Sequence, residues 1–177
     1  VSFDFPYGMP SNWSTTLTAN AEFTNWLVDQ GSLTARLKSF YNSFSVQVLG
    51  ERWLSGENDE QKYYIREVLL IADQKARVYA HTQIPKACIE HNQTLTELGS
   101  QPLGEFLFKQ GDLSRGPIEY AQINKNEPIY ELAQQLTSKK MPEQLYARRS
   151  NFILNGQTLS VCEVFLTDSP LYTHDEL

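Results

Sequence analysis

The chain has 177 residues and 41% hydrophobic composition, enough to bury one sizeable core without staples and too little to expect a second domain. Its 15 Lys and Arg against 21 Asp and Glu leave a net charge of -6, which excludes a general attraction to nucleic acid or to an anionic membrane. An anionic ligand must therefore be captured by particular arginines. Two cysteines, Cys88 and Cys162, and three scattered histidines, His81, His91 and His174, supply neither a disulfide framework nor metal-ligand spacing. Free thiols in a reducing, cytoplasmic setting and no metal are expected.

In chain order, residues 1–17 are rich in Pro, Gly and Ser and read as an arm. The opening "VSFDFPYGMP" is not a basic then apolar leader, and no apolar run approaches the roughly 20 residues of a membrane span. From Thr18 to Lys38 apolar residues recur with helical spacing, broken at Gly31-Ser32, where Ser32 can cap a second helix through "LTARLKSFY". "FSVQVLGERW", from Phe44 to Trp53, alternates as a strand with a bulge or turn at Gly50, and "SGENDEQK" is a loop. Tyr63 to Ala72 reads as a buried strand, turning near Asp73-Gln74 into an antiparallel partner, "ARVYAHTQIP", stopped by Pro85.

Leu95 to Leu98 and "PLGEFLF" read as short helices, and "GPIEYAQI" as a strand. Residues 124–144 form a polar insertion with a helix over Ile129 to Leu136. "LYARRSNFILNGQTLSVCEVFL" is a hairpin turning at Asn155-Gly156. About six strands without βα alternation predict a single α+β domain, an antiparallel sheet covered by helices.

Two strands carry charges that are hard to solvate. In "YYIREVLLIA" alternation puts Arg66 with Tyr64, Val68 and Leu70 on one face and Glu67 on the other, both faces being mostly apolar. In "SVCEVFL" Glu163 shares a face with Val161 and Phe165. An unpaired buried charge costs several kcal/mol, so Arg66 and Glu163 each need a partner, in the protein or in a ligand. One reading is a structural ion pair; the other is a cavity with a cation at one end and a carboxyl group at the other. Glu67 is expected to pair with a basic residue on its own face. Arg148 and Arg149 are neighbours in a strand and must face opposite ways.

The ordered set "NWLVDQGSLTARLK", "IREVLLI", "AHTQIP", "LGSQPLGEFLF", "YARRSNFIL" and "CEVFLTDSPLY" resembles chorismate pyruvate-lyase, which makes 4-hydroxybenzoate for ubiquinone, from about Trp26 to Tyr172. The resemblance implies an antiparallel sheet covered by helices, with flaps closing over a small aromatic ligand in an internal cavity. It implies that Arg66 binds the ring carboxylate and takes part in catalysis, and that Glu163 is the catalytic carboxyl group. It places backbone groups at Leu103 against the ligand and Leu33 on a flap. Ala80, His81 and Arg149 complete the expected binding set. His81 departs from the family pattern, where arginine is expected; if that arginine helps hold the pyruvyl carboxylate, His81 would weaken the hold or make it pH-sensitive. The insertion at 124–144 is a second departure, with a possible effect on the lid.

The implied reaction suits these residue types. Chorismate carries two carboxylates and a ring poised to become aromatic, so a guanidinium fork and a carboxyl group suffice, without cofactor or metal. The expected partners are chorismate and 4-hydroxybenzoate, with no nucleic acid, no membrane insertion and a monomeric state. The rival expectation is a non-catalytic effector-binding module of the same fold, as in some bacterial transcription regulators. The acidic charge and the lack of a basic recognition helix ahead of the fold weigh against it. The ending "HDEL" and the patterns Asn12-Trp13-Ser14 and Asn92-Gln93-Thr94 are read as coincidental matches to secretory signals.

Overall fold

The computed structural model describes residues 4–19, 24–56 and 62–172. Seven strands form one antiparallel sheet: β1 (Phe44–Ser55), β2 (Lys62–Ala72), β3 (Lys75–Pro85), β4 (Leu113–Arg115), β5 (Glu119–Ile123), β6 (Leu145–Leu154) and β7 (Gln157–Phe165). The order is β1-β2-β3-β7-β6-β4, and β5 pairs with β6 further along the flank that β4 also uses. The helices are α1 (Thr24–Leu27), α2 (Leu33–Phe40), α3 (Lys86–His91), α4 (Leu103–Phe108) and α5 (Pro128–Gln135), with a 3-10 turn at Gln93–Thr96. The expected α+β class and antiparallel sheet are present, with one more strand than expected: β4 is too short to show alternation in sequence.

Local chemistry explains the joints. Asn155 and Gly156 both adopt positive φ, at 50° and 74°, the backbone a two-residue hairpin loop needs to match strand twist. Gly50 follows a register shift in the β1–β2 ladder, the bulge anticipated there. Ser32 accepts from the Ala35 N–H at 3.2 Å and so starts α2 where the helical pattern broke. Pro85 does end β3, but it also stands at the start of α3, a helix the sequence pattern did not reveal.

The two faces of the sheet are covered differently. On one, α1 and α2 pack Trp26, Leu27, Leu33 and Leu37 against Val68, Val78 and Phe165. At the other end of that face, α3 and α4 pack Cys88, Ile89 and Leu107 against Tyr64, Ile84 and Phe152. On the opposite face, α5 lays Ile129, Tyr130, Leu132 and Ala133 on Leu69, Tyr79, Ala147 and Val164. The insertion at 124–144 therefore covers the back of the sheet rather than contributing to a lid. The arm also runs over the back: Tyr7 and Gly8 donate backbone N–H groups to Glu67, and Ser14 bridges to Tyr120.

Both cysteines are buried and unbridged. Asn12 and Asn92 use their amide nitrogens on the carbonyls of Gln122 and Cys88, and "HDEL" lies outside the described residues. Among the described residues no helix is long and apolar enough to cross a membrane, and no cluster of His, Cys, Asp and Glu could hold a metal ion.

Candidate functional site

The front face has a seam where the two helical caps meet, and a pocket lies under it. The space among its lining residues, open solvent included, comes to about 540 Å³. The caps touch closely there: a Cβ on Gly104 would sit 3.3 Å from the Thr34 Oγ1, and Lys38 bridges to Glu105 at 2.8 Å. The walls are Val68, Leu70 and Ala80 from the sheet, Leu33 and Leu103 from the helix starts, and Leu107 and Phe152 at the far end. The polar groups facing this space include Arg66, Glu163 and Arg115, with Thr34 and Thr82.

Register explains why these side chains converge. Arg66, Thr82, Val161 and Ser150 form one row across β2, β3, β7 and β6, and Val68, Ala80, Glu163 and Arg148 form the next row. Both rows face the helical caps. Shifted by one residue, Glu67, His81, Cys162 and Arg149 form a row on the back.

Arg66 is 1% exposed and well anchored. Its Nη1 meets the Glu51 carboxylate of β1, and its Nη2 donates to the carbonyls of Gly99 and Gln101, at 2.8 and 3.1 Å. Five guanidinium N–H groups less these three leave the Nε–H and one Nη1–H, on opposite edges of the guanidinium, without an acceptor among the described residues. Glu163 accepts from the Nε of Arg148 at 2.6 Å through Oε2, and among the described residues its Oε1 has no hydrogen-bond donor. The partner each charge requires is thus in the protein: buried Arg66 and partly buried Glu163 do not pair with each other, but each faces the same space.

Five of the expected site residues, Arg66, Glu163, Leu103, Leu33 and Ala80, line the pocket. His81 and Arg149 do not. The His81 Nδ1 is 2.8 Å from Glu67 on the back of the sheet, and Arg149 pairs with Glu119 at 3.1 Å and lies over the Trp13 ring. The physical reason is alternation: Ala80 and His81 cannot both face front, nor can Arg148 and Arg149. Of the two arginines the front one is Arg148. Sequence reading missed Arg115, because three residues of strand carry no periodic signal, and missed the pairing of Arg148 with Glu163, which needs the β6–β7 register.

The back row is a separate structural cluster. Glu67 is fully buried, and its carboxylate receives the Tyr7 and Gly8 N–H groups, the Tyr79 hydroxyl at 2.6 Å and His81. Burial pushes its pKa up, but these donors together outweigh burial and hold it below the usual carboxylate value. The Tyr79 hydroxyl is pushed strongly up by burial and by the Glu67 charge, so it stays a donor.

A front-face pocket with apolar walls, enclosed by two helical caps and provided with arginines and a carboxylate, defines a small-molecule-binding α+β domain. A family model described as chorismate lyase matches residues 12–177. Proteins named "Probable chorismate pyruvate-lyase" are similar along their whole length. The one from Psychromonas ingrahamii is 36% identical over 94% of this chain and 96% of the relative. That from Pseudoalteromonas translucida is 36% identical over 95% and 98%, and that from Shewanella frigidimarina 33% over 100% and 98%. This chain belongs to the chorismate lyase family. Among solved structures, a GntR-family transcriptional regulator from Bacillus cereus overlaps 76% of this chain and 96% of its own, with TM-score 0.49 and 14% identity.

Proposed function

We propose that this chain is a chorismate pyruvate-lyase, converting chorismate to 4-hydroxybenzoate and pyruvate without a cofactor. The observation that supports this most is that Arg66 and Glu163, far apart in sequence, line one apolar-walled pocket in a chain of this family.

The reaction removes the hydrogen from the ring carbon that bears the hydroxyl group and breaks the bond from the neighbouring ring carbon to the ether oxygen. The electron pair of the broken C–H bond completes the aromatic ring. The electron pair of the C–O bond leaves on oxygen as enolpyruvate, which gains a proton at its methylene carbon to become pyruvate. Nothing is oxidised or reduced from outside, so orientation and proton handling are the whole task.

Arg66 turns one of its uncommitted N–H groups to the ring carboxylate, a charge-assisted contact sheltered from water. Leu33 and Leu103 are the first residues of α2 and α4, where backbone N–H groups lack helical acceptors, and they complete the carboxylate's surroundings. Ala80 leaves room for the ring between Val68 and Glu163. Glu163, steadied by Arg148, takes the ring proton through Oε1 and returns a proton to the departing enol, then meets the product hydroxyl.

Incubation of purified protein with chorismate, following 4-hydroxybenzoate and pyruvate together, tests the reading. Equimolar products, lost in Arg66→Ala and Glu163→Ala, are expected. Tight binding of 4-hydroxybenzoate with no turnover above the spontaneous background would instead mark an effector-type module.

A further inference from the structure

The pocket has a second cationic pole. We propose that Arg115 receives the carboxylate on the enolpyruvyl ether, and that this contact lets the site prefer its dicarboxylate substrate over its monocarboxylate product. The proposal rests on the lyase reading above and adds a residue to it.

Charge pairing singles out Arg115. Among the described residues Arg66 is balanced by Glu51 and Arg148 by Glu163, whereas Arg115 has no carboxylate within ion-pair distance. The nearby Asp29 is engaged by Arg36 at 3.0 Å. Neutral groups hold the Arg115 guanidinium instead: Nε donates to the Ser150 Oγ at 2.8 Å, and Nη1 to the carbonyls of Gln30 and Gly31 at 2.9 and 3.3 Å. The plane lies over the Phe152 ring, 5.0 Å from its centroid. Among the described residues Nη2 has no acceptor. Burial and the neighbouring Arg148 charge push its pKa down and outweigh the Glu163 and Asp29 carboxylates, which act on it from beyond ion-pair distance. A half-buried guanidinium left in that state is destabilising, and an arriving anion relieves it.

Position agrees with charge. Arg66 and Ser150, the anchor of Arg115, stand at opposite ends of one row across four strands, about 14 Å apart at three strand spacings. Arg66 and Arg115 both line the pocket, and their strands, β2 and β4, lie on opposite sides of β7, so their guanidinium groups approach from opposite sides. Glu163 lies two residues along β7 from Val161 of that row, between the two poles. A ligand whose ring carboxylate is on Arg66 therefore presents its far edge to Glu163 and Arg115 together. In chorismate that edge carries both the hydrogen to be lost and the ether with the second carboxylate. Once the ether breaks, the second carboxylate belongs to pyruvate, and 4-hydroxybenzoate has no group for Arg115.

The test compares Arg115→Gln and Arg115→Lys with wild type and with Arg66→Lys. Calorimetric titration uses two probes that are not turned over: 4-hydroxybenzoate, and a benzoate carrying a carboxyvinyl ether at the ring position meta to its carboxylate. Arg115→Gln is expected to lose at least about tenfold in affinity for the diacid, equivalent to about 1.4 kcal/mol, while 4-hydroxybenzoate affinity stays within about twofold. The KM for chorismate should rise in step. Arg115→Lys should recover part of the loss, because a point charge replaces the fork, and Arg66→Lys should weaken both probes. Unchanged diacid affinity in Arg115→Gln, or an equal fall for both probes, would overturn the proposal. Failure of the lyase reading is separate: it appears as absence of turnover in wild type, and the diacid titration still decides the role of Arg115.

Discussion

Arg148 and Glu163 face each other across β6 and β7, joined by a 2.6 Å bond, and the same guanidinium reaches the carbonyls of Trp26, Leu27 and Asp29. The four-residue α1 cannot satisfy its own last carbonyls, so Arg148 ties the candidate catalytic carboxylate to α1, which packs on the same face of the sheet as the pocket. Function and stability should therefore separate between the partners. Glu163→Gln keeps an acceptor for Arg148 and should leave the fold intact while lowering kcat by about 100-fold or more, as loss of a general acid/base does. Arg148→Met removes the counter-charge of a sheltered carboxylate and strands three carbonyls, so a loss of about 3 to 5 kcal/mol is expected in urea unfolding. Normal turnover by Glu163→Gln would remove that residue from the mechanism.

The Glu67 cluster predicts how the protein responds to acid. Because the folded-state pKa lies below the usual 4.5, the carboxylate's contribution is present in full above that value and is lost as pH falls from it towards the lowered folded value. Glu67→Gln should be less stable than wild type by about 2 kcal/mol near neutrality, the order of a hydrogen bond to a buried charge. That gap should close on acidification. Urea midpoints measured between about pH 3 and 7 check both statements; a constant gap would show that Glu67 is not the group responsible.

His81 gives a sharper contrast, since sequence reading placed it on the ligand and the structure places it on Glu67. His81→Leu should lower stability, because it removes one of the donors to a fully buried carboxylate. Its KM for chorismate and Kd for 4-hydroxybenzoate should stay at wild-type values. A large rise in either constant at unchanged melting temperature would return His81 to the site.

What the sequence made legible follows from what alternation and turn chemistry can encode. The shared face of Arg66 and Val68, the hairpin at Asn155-Gly156 and the cap at Ser32 depend on neighbours within a few residues, and all are present. Which side of a strand faces the caps depends on cross-strand register, which no single segment contains, so alternation separates Ala80 from His81 without telling which of them faces the pocket. Alternation separates Arg148 from Arg149 in the same way, and only the β6–β7 register puts Arg148 at the front. Arg115 acquires its meaning from Ser150, Gly31 and Phe152, distant in sequence and brought together only by the fold. The back-face position of α5 likewise depends on which face the other helices had already taken.

The meeting of α2 and α4 over the pocket should govern how product leaves. Gly104 lies against Thr34 with no room for a branched side chain, and nearby only the Lys38–Glu105 bridge, half exposed at 44% and 33%, joins the two helices by charge among the described residues. Gly104→Val should wedge the caps apart and speed release of 4-hydroxybenzoate several-fold, with weaker product binding and little change in the sheet. The bridge is screened by salt, so wild-type release should quicken modestly between low and high ionic strength. Glu105→Gln should release faster at low salt and lose most of that dependence. Stopped-flow displacement of bound 4-hydroxybenzoate at two salt concentrations reads both effects. Equal release rates in wild type and Gly104→Val would mean that product leaves by a route other than this seam.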